Sequence, residues 1–243
     1  MANYRDRGVV LRTIRLGEAD RIATVLSLEH GKVRAVAKGV RKVKSRLGAR
    51  TEPLTHIDFM AWRGRELDVV NQVEVIDVFP RIRADLERLD AAATMAEIID
   101  QSTVDHQPAP ELYRLLVGAL RSLEGSGSPL VLAAFCLKLL ATEGVGVVAD
   151  RCATCGSDVP LVAFEASYGG FLCVSCRRGQ PVSAEVVALA RAITTGGLAR
   201  AIREARGPEV EQLERLAVGA VERHLDRRLR SVRHHLAEAN RSA

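Results

Sequence analysis

The chain has 243 residues, 47% of them hydrophobic and 27% charged, a balance typical of globular proteins with room for more than one domain. No run approaches the roughly 20 apolar residues of a membrane span. The first residues, MANYRDRG, are too polar for a secretory signal, so we expect a cytoplasmic protein whose cysteines are reduced.

Positive charge is concentrated near the N-terminus. Residues 1–50 contain 13 Lys or Arg and 4 Asp or Glu, a balance of +9, whereas the other 193 residues contain 22 and 26, a balance of −4. Residues 34–50 hold seven of these cations and no acid. Charge of one sign gathered in one module is typical of a surface that binds a polyanion, and a solvated loop without such a role is the alternative.

The first 79 residues predict a small all-β domain, 1–79. Five β-branched stretches are separated by turns: GVVLRTIRL, IATVLSL, VRAVAKG, THIDFMAWR and LDVVNQVEVIDVF. Five strands of antiparallel character in so short a segment favour a Greek-key barrel such as the OB-fold. A small SH3-like barrel fits the same pattern nearly as well.

From Pro80 onward the apolar residues recur at helical spacing. The segment LVLAAFCLKLLATEG is apolar almost all round and predicts a central buried helix, with Cys136 as a core residue. A last, long helix begins at Pro208, and its apolar stripe continues to Val232. The sequence therefore predicts an α+β protein whose helical domain, 80–149 and 181–243, is interrupted by a separate module at 150–180.

That module contains four cysteines, Cys152, Cys155, Cys173 and Cys176, in the pattern C-x2-C-x17-C-x2-C. Between the pairs, LVAFEASYGGFL predicts a hairpin that turns at Gly169–Gly170. Two C-x2-C turns joined by a hairpin are typical of a zinc ribbon, in which four thiolates close a structural site with no open position. A redox dithiol is the alternative, but it needs one pair at a helix start.

Other motifs argue against an enzyme. GVGVVA from Gly144 matches a dinucleotide-binding pattern, but it follows a helix, so we interpret Gly144 as a helix stop. The sequence has no G-x-x-x-x-G-K-[ST] phosphate loop and no G-x-S-x-G elbow. His234 and His235 fall in a basic helix end rather than in a metal-ligand pattern. We therefore expect a binding protein without catalytic residues.

The N-terminal run resembles the opening of the bacterial recombination mediator family RecO. The likeness is closest in LGEAD, in HGK, in AVAKGVRKVKSR and in the EPL that follows. The helical middle and the late four-cysteine module come in the same order in that family, so the resemblance spans essentially the whole chain. Some members lack the full cysteine set, and this chain keeps all four.

The resemblance implies an N-terminal OB-fold, a helical domain and an embedded module holding one structural Zn²⁺. It also implies binding of single- and double-stranded DNA and annealing of complementary strands, in the nucleoid of the cytoplasm. The implied protein partners are RecR, the acidic C-terminal tail of single-strand-binding protein and, indirectly, RecA, which is loaded onto DNA coated by single-strand-binding protein. None of this requires nucleotide hydrolysis.

We expect the basic segment to follow a phosphate backbone, with aromatic stacking in a minor part. Nearby aromatic candidates are Tyr4, Trp62 and Phe59, the last more suited to the core. An RNA-binding or ribosome-associated zinc-ribbon protein, or a scaffold acting through its helices, would fit the same features. A further role of Arg151, Arg177 and Arg178 at the ribbon stays open. The predicted DNA contacts are Lys38, Arg41, Lys42, Lys44 and Arg46, with Arg34 and Arg50 behind them.

Overall fold

The structure is a computed structural model that describes residues 3–40 and 47–231. It contains two compact units, one formed by residues 1–124 and 230–243 and the other by residues 125–229. The first unit thus groups residues 80–124 with the barrel segment. The domain boundaries predicted from the sequence, at residues 79, 149 and 180, stay a prediction.

The first unit contains a closed five-stranded barrel. Its strands follow the order β1-β2-β3-β5-β4, and β4 closes onto β1. All neighbouring pairs are antiparallel except β3 and β5, which are parallel. This confirms the OB-like barrel predicted from the strand pattern. The strands are β1 Asn3–Leu16, β2 Asp20–Ser27, β3 Gly31–Ala37, β4 His56–Trp62 and β5 Asp68–Asp77.

The barrel interior is filled by small and β-branched side chains that alternate along each strand. In β3 the pattern is regular: Val33, Ala35 and Ala37 are buried, and the residues between them are half-exposed. Alanines leave the narrow interior room for one large ring, Phe59, which is 1% exposed. The expectation that Phe59 belongs to the core is confirmed.

Helices of the same unit pack on the barrel, and an ion pair and a hydrogen bond join α2 to its strands. The Asp85 side chain caps α2 by accepting the N–H of Arg88 at 3.1 Å. From α2, Asp100 pairs with Arg12 Nε of β1 at 2.6 Å, and its carbonyl accepts from Lys32 Nζ of β3 at 2.6 Å. These helices are α1 Pro80–Arg83, α2 Leu86–Ser102 and α3 Pro110–Ser126.

The second unit is built around one apolar helix, α4 Leu130–Thr142, which packs against the three helices that follow it. Cys136 lies on it with no exposed surface, and burial raises the pKa of its thiol, so the prediction of an inert core cysteine holds. Gly144 ends the helix with a φ of +80°, while Val145 N–H donates to Leu140 O at 2.9 Å. The further helices are α5 Ala184–Thr195, α6 Leu198–Glu204 and α7 Pro208–His224.

The last helix is shorter than its apolar stripe predicts. α7 ends at His224, and Asp226 takes a left-handed backbone with a φ of +50°. The carboxylate of Glu222 then accepts the N–H of Leu229 at 2.8 Å, and Leu229 is buried by this turn rather than by a continued helix. Val232 lies outside the described residues.

A three-stranded sheet completes the second unit, in the order β7-β6-β8. Its strands are β6 Leu161–Glu165, β7 Gly170–Cys173 and β8 Gln180–Pro181. β6 and β7 form the predicted hairpin, with Gly169 at a φ of +81° in the turn. Within the described ranges, no helix combines the length and apolar character needed to cross a bilayer.

Candidate metal centre and nucleic-acid interface

The four cysteines of the ribbon module meet at one point. Their Sγ atoms all lie within 4.8 Å of one another, and those of Cys155 and Cys173 are 3.8 Å apart. Tetrahedral Zn²⁺ with Zn–S bonds of about 2.3 Å sets its ligand sulfurs about 3.8 Å apart. The donor set and its spacing therefore fit a four-thiolate zinc site, and the cluster of four cysteines predicted from the spacing is present.

Local backbone geometry brings these Sγ atoms together. After the first pair, Gly156 takes a φ of +72° and its N–H donates to Cys152 O at 2.9 Å, which closes a tight turn. On the second pair, the N–H of Cys173 points at Cys152 Sγ at 3.5 Å. Gly170 keeps the hairpin against the preceding chain, because a Cβ there would lie 2.3 Å from Val148 O.

Electrostatics of the free thiols also favour a cation. Backbone N–H groups, first that of Cys155 and then that of Cys173, lower the pKa of Cys152 to about 6. The hydroxyl and the N–H of Ser157 lower the pKa of Cys155. Cys176 shows the opposite effect, because hydrogen bonding with Cys155 and burial raise its pKa to about 12. Four crowded sulfurs can thus lose all their protons together only when a cation compensates them.

Three arginines lie near the cysteines, and two of them contact neighbouring side chains. Arg178 lies over the Tyr168 ring at 5.4 Å from its centroid, and its Nη1 donates to the Tyr168 hydroxyl at 2.7 Å. Arg151 pairs with Asp150 at 3.2 Å. Arg177 is exposed.

The predicted nucleic-acid contacts are only partly within the described chain. Lys38 is exposed just after β3. Arg34 is half-buried on β3, and its Nε is buried without a hydrogen-bond acceptor in the described ranges. Arg50 is exposed but donates from Nη1 to Val73 O of β5 at 3.0 Å, which anchors the end of the basic segment to the barrel. Arg41, Lys42, Lys44 and Arg46 lie outside the described residues.

The aromatic candidates for base stacking differ in how far their rings are exposed. Tyr4 is occupied: its hydroxyl donates to Asp68, and its ring stacks on His30 with centroids 4.3 Å apart. Burial, followed by the Asp68 carboxylate, raises the pKa of Tyr4. Trp62 is 48% exposed at the end of β4 and is free to meet a ligand.

Sequence reasoning missed one surface feature of the barrel. An apolar line crosses its outside through Ile14, Ile22, Val36, Val69 and Trp62, here called the outer row. It also missed two arginines of the β4–β5 turn, Arg63 and Arg65, both exposed. Strand alternation marks each of these residues as outward-facing, but only the register shows that the row is continuous.

Comparison with known proteins identifies the family of this chain. Family models described as Recombination protein O N terminal and Recombination protein O C terminal match residues 1–79 and 83–233. Three relatives are each named DNA repair protein RecO. That of Frankia casuarinae is 43% identical over 96% of this chain and 98% of its own length.

The other two relatives are similarly close. That of Cutibacterium acnes is 40% identical over 96% of this chain and 98% of its own length. That of Rubrobacter xylanophilus is 45% identical over 74% of each chain. With both family models matched in order along nearly the whole length, this chain belongs to the RecO family of DNA repair proteins.

Proposed function

We propose that this protein is a DNA repair and recombination mediator that binds single- and double-stranded DNA and anneals complementary strands. With RecR it helps to load RecA onto DNA coated by single-strand-binding protein, whose acidic C-terminal tail it contacts. It has no catalytic residues and acts by binding alone. The observation that carries the proposal is an OB-like barrel of the RecO family with seven cations and no acid over residues 34–50.

The basic segment supplies the electrostatics. It begins on β3, where Arg34 lies, and Lys38 is exposed just after the end of that strand. Cations there neutralise phosphates and release condensed counterions, which favours binding of any sequence. The same neutralisation supports annealing, because two single strands repel each other until their phosphates are screened.

Zinc has a structural part in the proposal. Cys152, Cys155, Cys173 and Cys176 would hold one Zn²⁺ with no position left for water or substrate. Its contribution is folding free energy for a module too small to bury much apolar surface.

Salt dependence of oligonucleotide binding tests the phosphate contacts. We expect affinity for single strands to fall with salt at a log–log slope of about −0.7 for each phosphate neutralised. A Lys42→Glu, Lys44→Glu variant should flatten that slope by about 1.4 or more, equally on all sequences, and should anneal complementary strands more slowly. The matched control makes the same charge change at two exposed helical arginines, Arg203→Glu with Arg215→Glu.

Each other result has a definite meaning. An unchanged slope in the Lys42/Lys44 variant would move the contacts elsewhere. Absence of binding at low salt would overturn the proposal as a whole, and a strong preference for structured RNA in competition would favour the RNA-binding alternative. Loss of annealing in the control variant would show that net charge, rather than the basic segment, is responsible.

A further inference from the structure

We propose that Cys155 is a reaction site for hydroperoxides, and that its oxidation joins it to Cys173 in a disulfide and releases the zinc ion. The inference rests on the proposed zinc site and goes beyond it, because a purely structural metal centre predicts no reaction at its ligands. It gives different roles to the members of one cluster: one thiolate is attacked, a second forms the disulfide, and two remain as thiols.

The four cysteines differ in their access to solvent. Cys155 is exposed and Cys176 is half-buried, whereas Cys152 is 1% exposed and Cys173 is 3% exposed. Cys155 lies in an open turn: its neighbours along the chain are exposed as well, and a Cβ on Gly156 would meet no other described atom within 4 Å. A small oxidant therefore reaches Cys155 Sγ from solvent, and exposed thiolates are the ones that oxidise first.

A hydroxyl group beside Cys155 can assist the oxygen that leaves. Ser157 Oγ lies 3.3 Å from Cys155 Sγ, and a serine hydroxyl rotates to donate to whichever acceptor is next to it. Cys152 Sγ instead accepts the N–H of Cys173 at 3.5 Å, inside the cluster. The exposed thiolate thus has a donor on the side from which a peroxide approaches.

A second thiolate is in place to form the disulfide. Cys173 Sγ lies 3.8 Å from Cys155 Sγ, so the two atoms must approach by roughly 1.8 Å to reach the bond length of a disulfide. Side-chain rotation in the open turn permits this approach. A bond between Cys155 and Cys152 is less suited, because their pair lies in a turn and redox C-x2-C pairs form their disulfide at a helix start.

The reaction balances with hydrogen peroxide as its only added reagent. The Cys155 thiolate attacks one peroxide oxygen, the O–O bond breaks, hydroxide leaves, and the sulfur becomes a sulfenic acid. The Cys173 thiolate then attacks that sulfur, an S–S bond forms, and the S–O bond breaks to release a second hydroxide. Two thiolates lose two electrons in all, and these reduce one peroxide to two hydroxides. The two remaining ligands cannot close a four-coordinate site, so the zinc ion passes to water.

Oxidation should loosen the ribbon and spare the barrel. The core of the ribbon hairpin is small, with the rings of Phe164 and Phe171 at its centre, 5.0 Å apart, so the metal contributes much of its folding free energy. Residues 1–79 contain no cysteine and cannot take part in the reaction. Because a dithiol reduces the disulfide again, the change is reversible. A DNA repair protein thereby acquires one module that responds to an oxidant.

Zinc release and peptide mapping test the site in the full chain. Protein purified with its zinc is treated with hydrogen peroxide, and the free metal is followed with a chromogenic chelator. We expect one zinc ion to leave each chain, and dithiothreitol with added zinc to restore it. Trypsin and Glu-C together cut at Arg151, Glu165 and Arg177, so a Cys155–Cys173 bond links two peptides that a bond within either pair leaves separate. Cys136, which has no exposed surface, should stay reduced and is the internal control.

Histidine substitutions separate the attacked thiolate from metal binding. Cys155→His keeps four ligands, because three cysteines and one histidine also bind zinc, but it places no sulfur at the exposed position. Release of zinc by peroxide should become slower by roughly tenfold or more. The matched control Cys176→His exchanges a ligand of the other pair and should release zinc at the wild-type rate. Ser157→Ala should slow the release several-fold with an unchanged zinc content.

The outcomes distinguish this inference from the proposed function. A disulfide within one C-x2-C pair, oxidation of Cys136 at the same rate, or wild-type zinc release from Cys155→His would overturn the reaction site while the zinc site stands. Absence of zinc from wild-type protein purified without a chelator would overturn the zinc site and the inference together, and DNA binding at low salt would be unaffected by either result. If a histidine variant fails to bind zinc, the linked peptide of the wild type decides alone.

Discussion

His56 should make the barrel unit sensitive to mild acid. It is the first residue of β4 and is 3% exposed. Its Nε2 lies 2.8 Å from the Tyr113 hydroxyl of α3, and its Nδ1 is buried with no hydrogen-bond partner in the described ranges. Protonation would create a buried cation with one N–H unsatisfied. Burial, and then the charge of Arg121, accordingly lowers the pKa of His56 from 6.5 to about 4.

The direction of the effect follows from proton linkage. Between pH 6.5 and about 4 the unfolded chain is protonated at His56 and the folded chain is not, so acid favours unfolding. The stability is fully present above pH 6.5 and is lost as the pH falls through this window. Since one pKa unit corresponds to about 1.4 kcal/mol, the full loss is about 3 kcal/mol, and about 2 kcal/mol is gone at pH 5.

Urea unfolding followed by the fluorescence of Trp62 measures this loss of stability in the unit that contains the barrel, because Trp62 is the only tryptophan and lies in the barrel. In a His56→Gln variant the amide can still bond the Tyr113 hydroxyl, but nothing titrates. We expect the decline in unfolding free energy between pH 7.5 and 5 to be smaller by about 2 kcal/mol than in the wild type. His106→Asn, at an exposed histidine with a left-handed backbone, is the control and should behave as the wild type. Parallel pH dependence in the wild type and His56→Gln would refute the reasoning.

Two further predictions concern the other features. Cys152→Ser should abolish stoichiometric binding of zinc, measured by mass spectrometry of the purified protein, whereas the control Ser175→Ala, between the cysteines of the second pair, should keep it. Neither substitution should change the urea midpoint of the barrel. A full zinc complement in the Cys152→Ser variant would disprove the proposed ligand set. Glu97→Gln should speed amide hydrogen exchange at residues 230–231 by roughly tenfold or more, because the Glu97 carboxylate accepts both N–H groups at 2.9 Å. The control Glu87→Gln, on the same helix, should leave that exchange unchanged. Exchange at the wild-type rate in the Glu97→Gln variant would show that another contact holds this segment.

Local patterns were sufficient to predict the barrel strands and the cluster of four cysteines. The strands alternate with period two and are punctuated by turns, and both signals are contained within a few residues of sequence. The cysteine cluster is equally local, since each C-x2-C pair is one turn and the hairpin at Gly169 brings the pairs together. The sequence also favoured a core position for Phe59, which is 1% exposed.

Features that depend on distant residues could not be predicted. The apolar stripe continues to Val232, but α7 ends at His224. Beyond that end the Glu222 carboxylate accepts the N–H of Leu229, and the carboxylate of Glu97, distant in sequence, accepts those of residues 230–231. The buried position of His56 likewise depends on Tyr113. No local periodicity encodes such pairings.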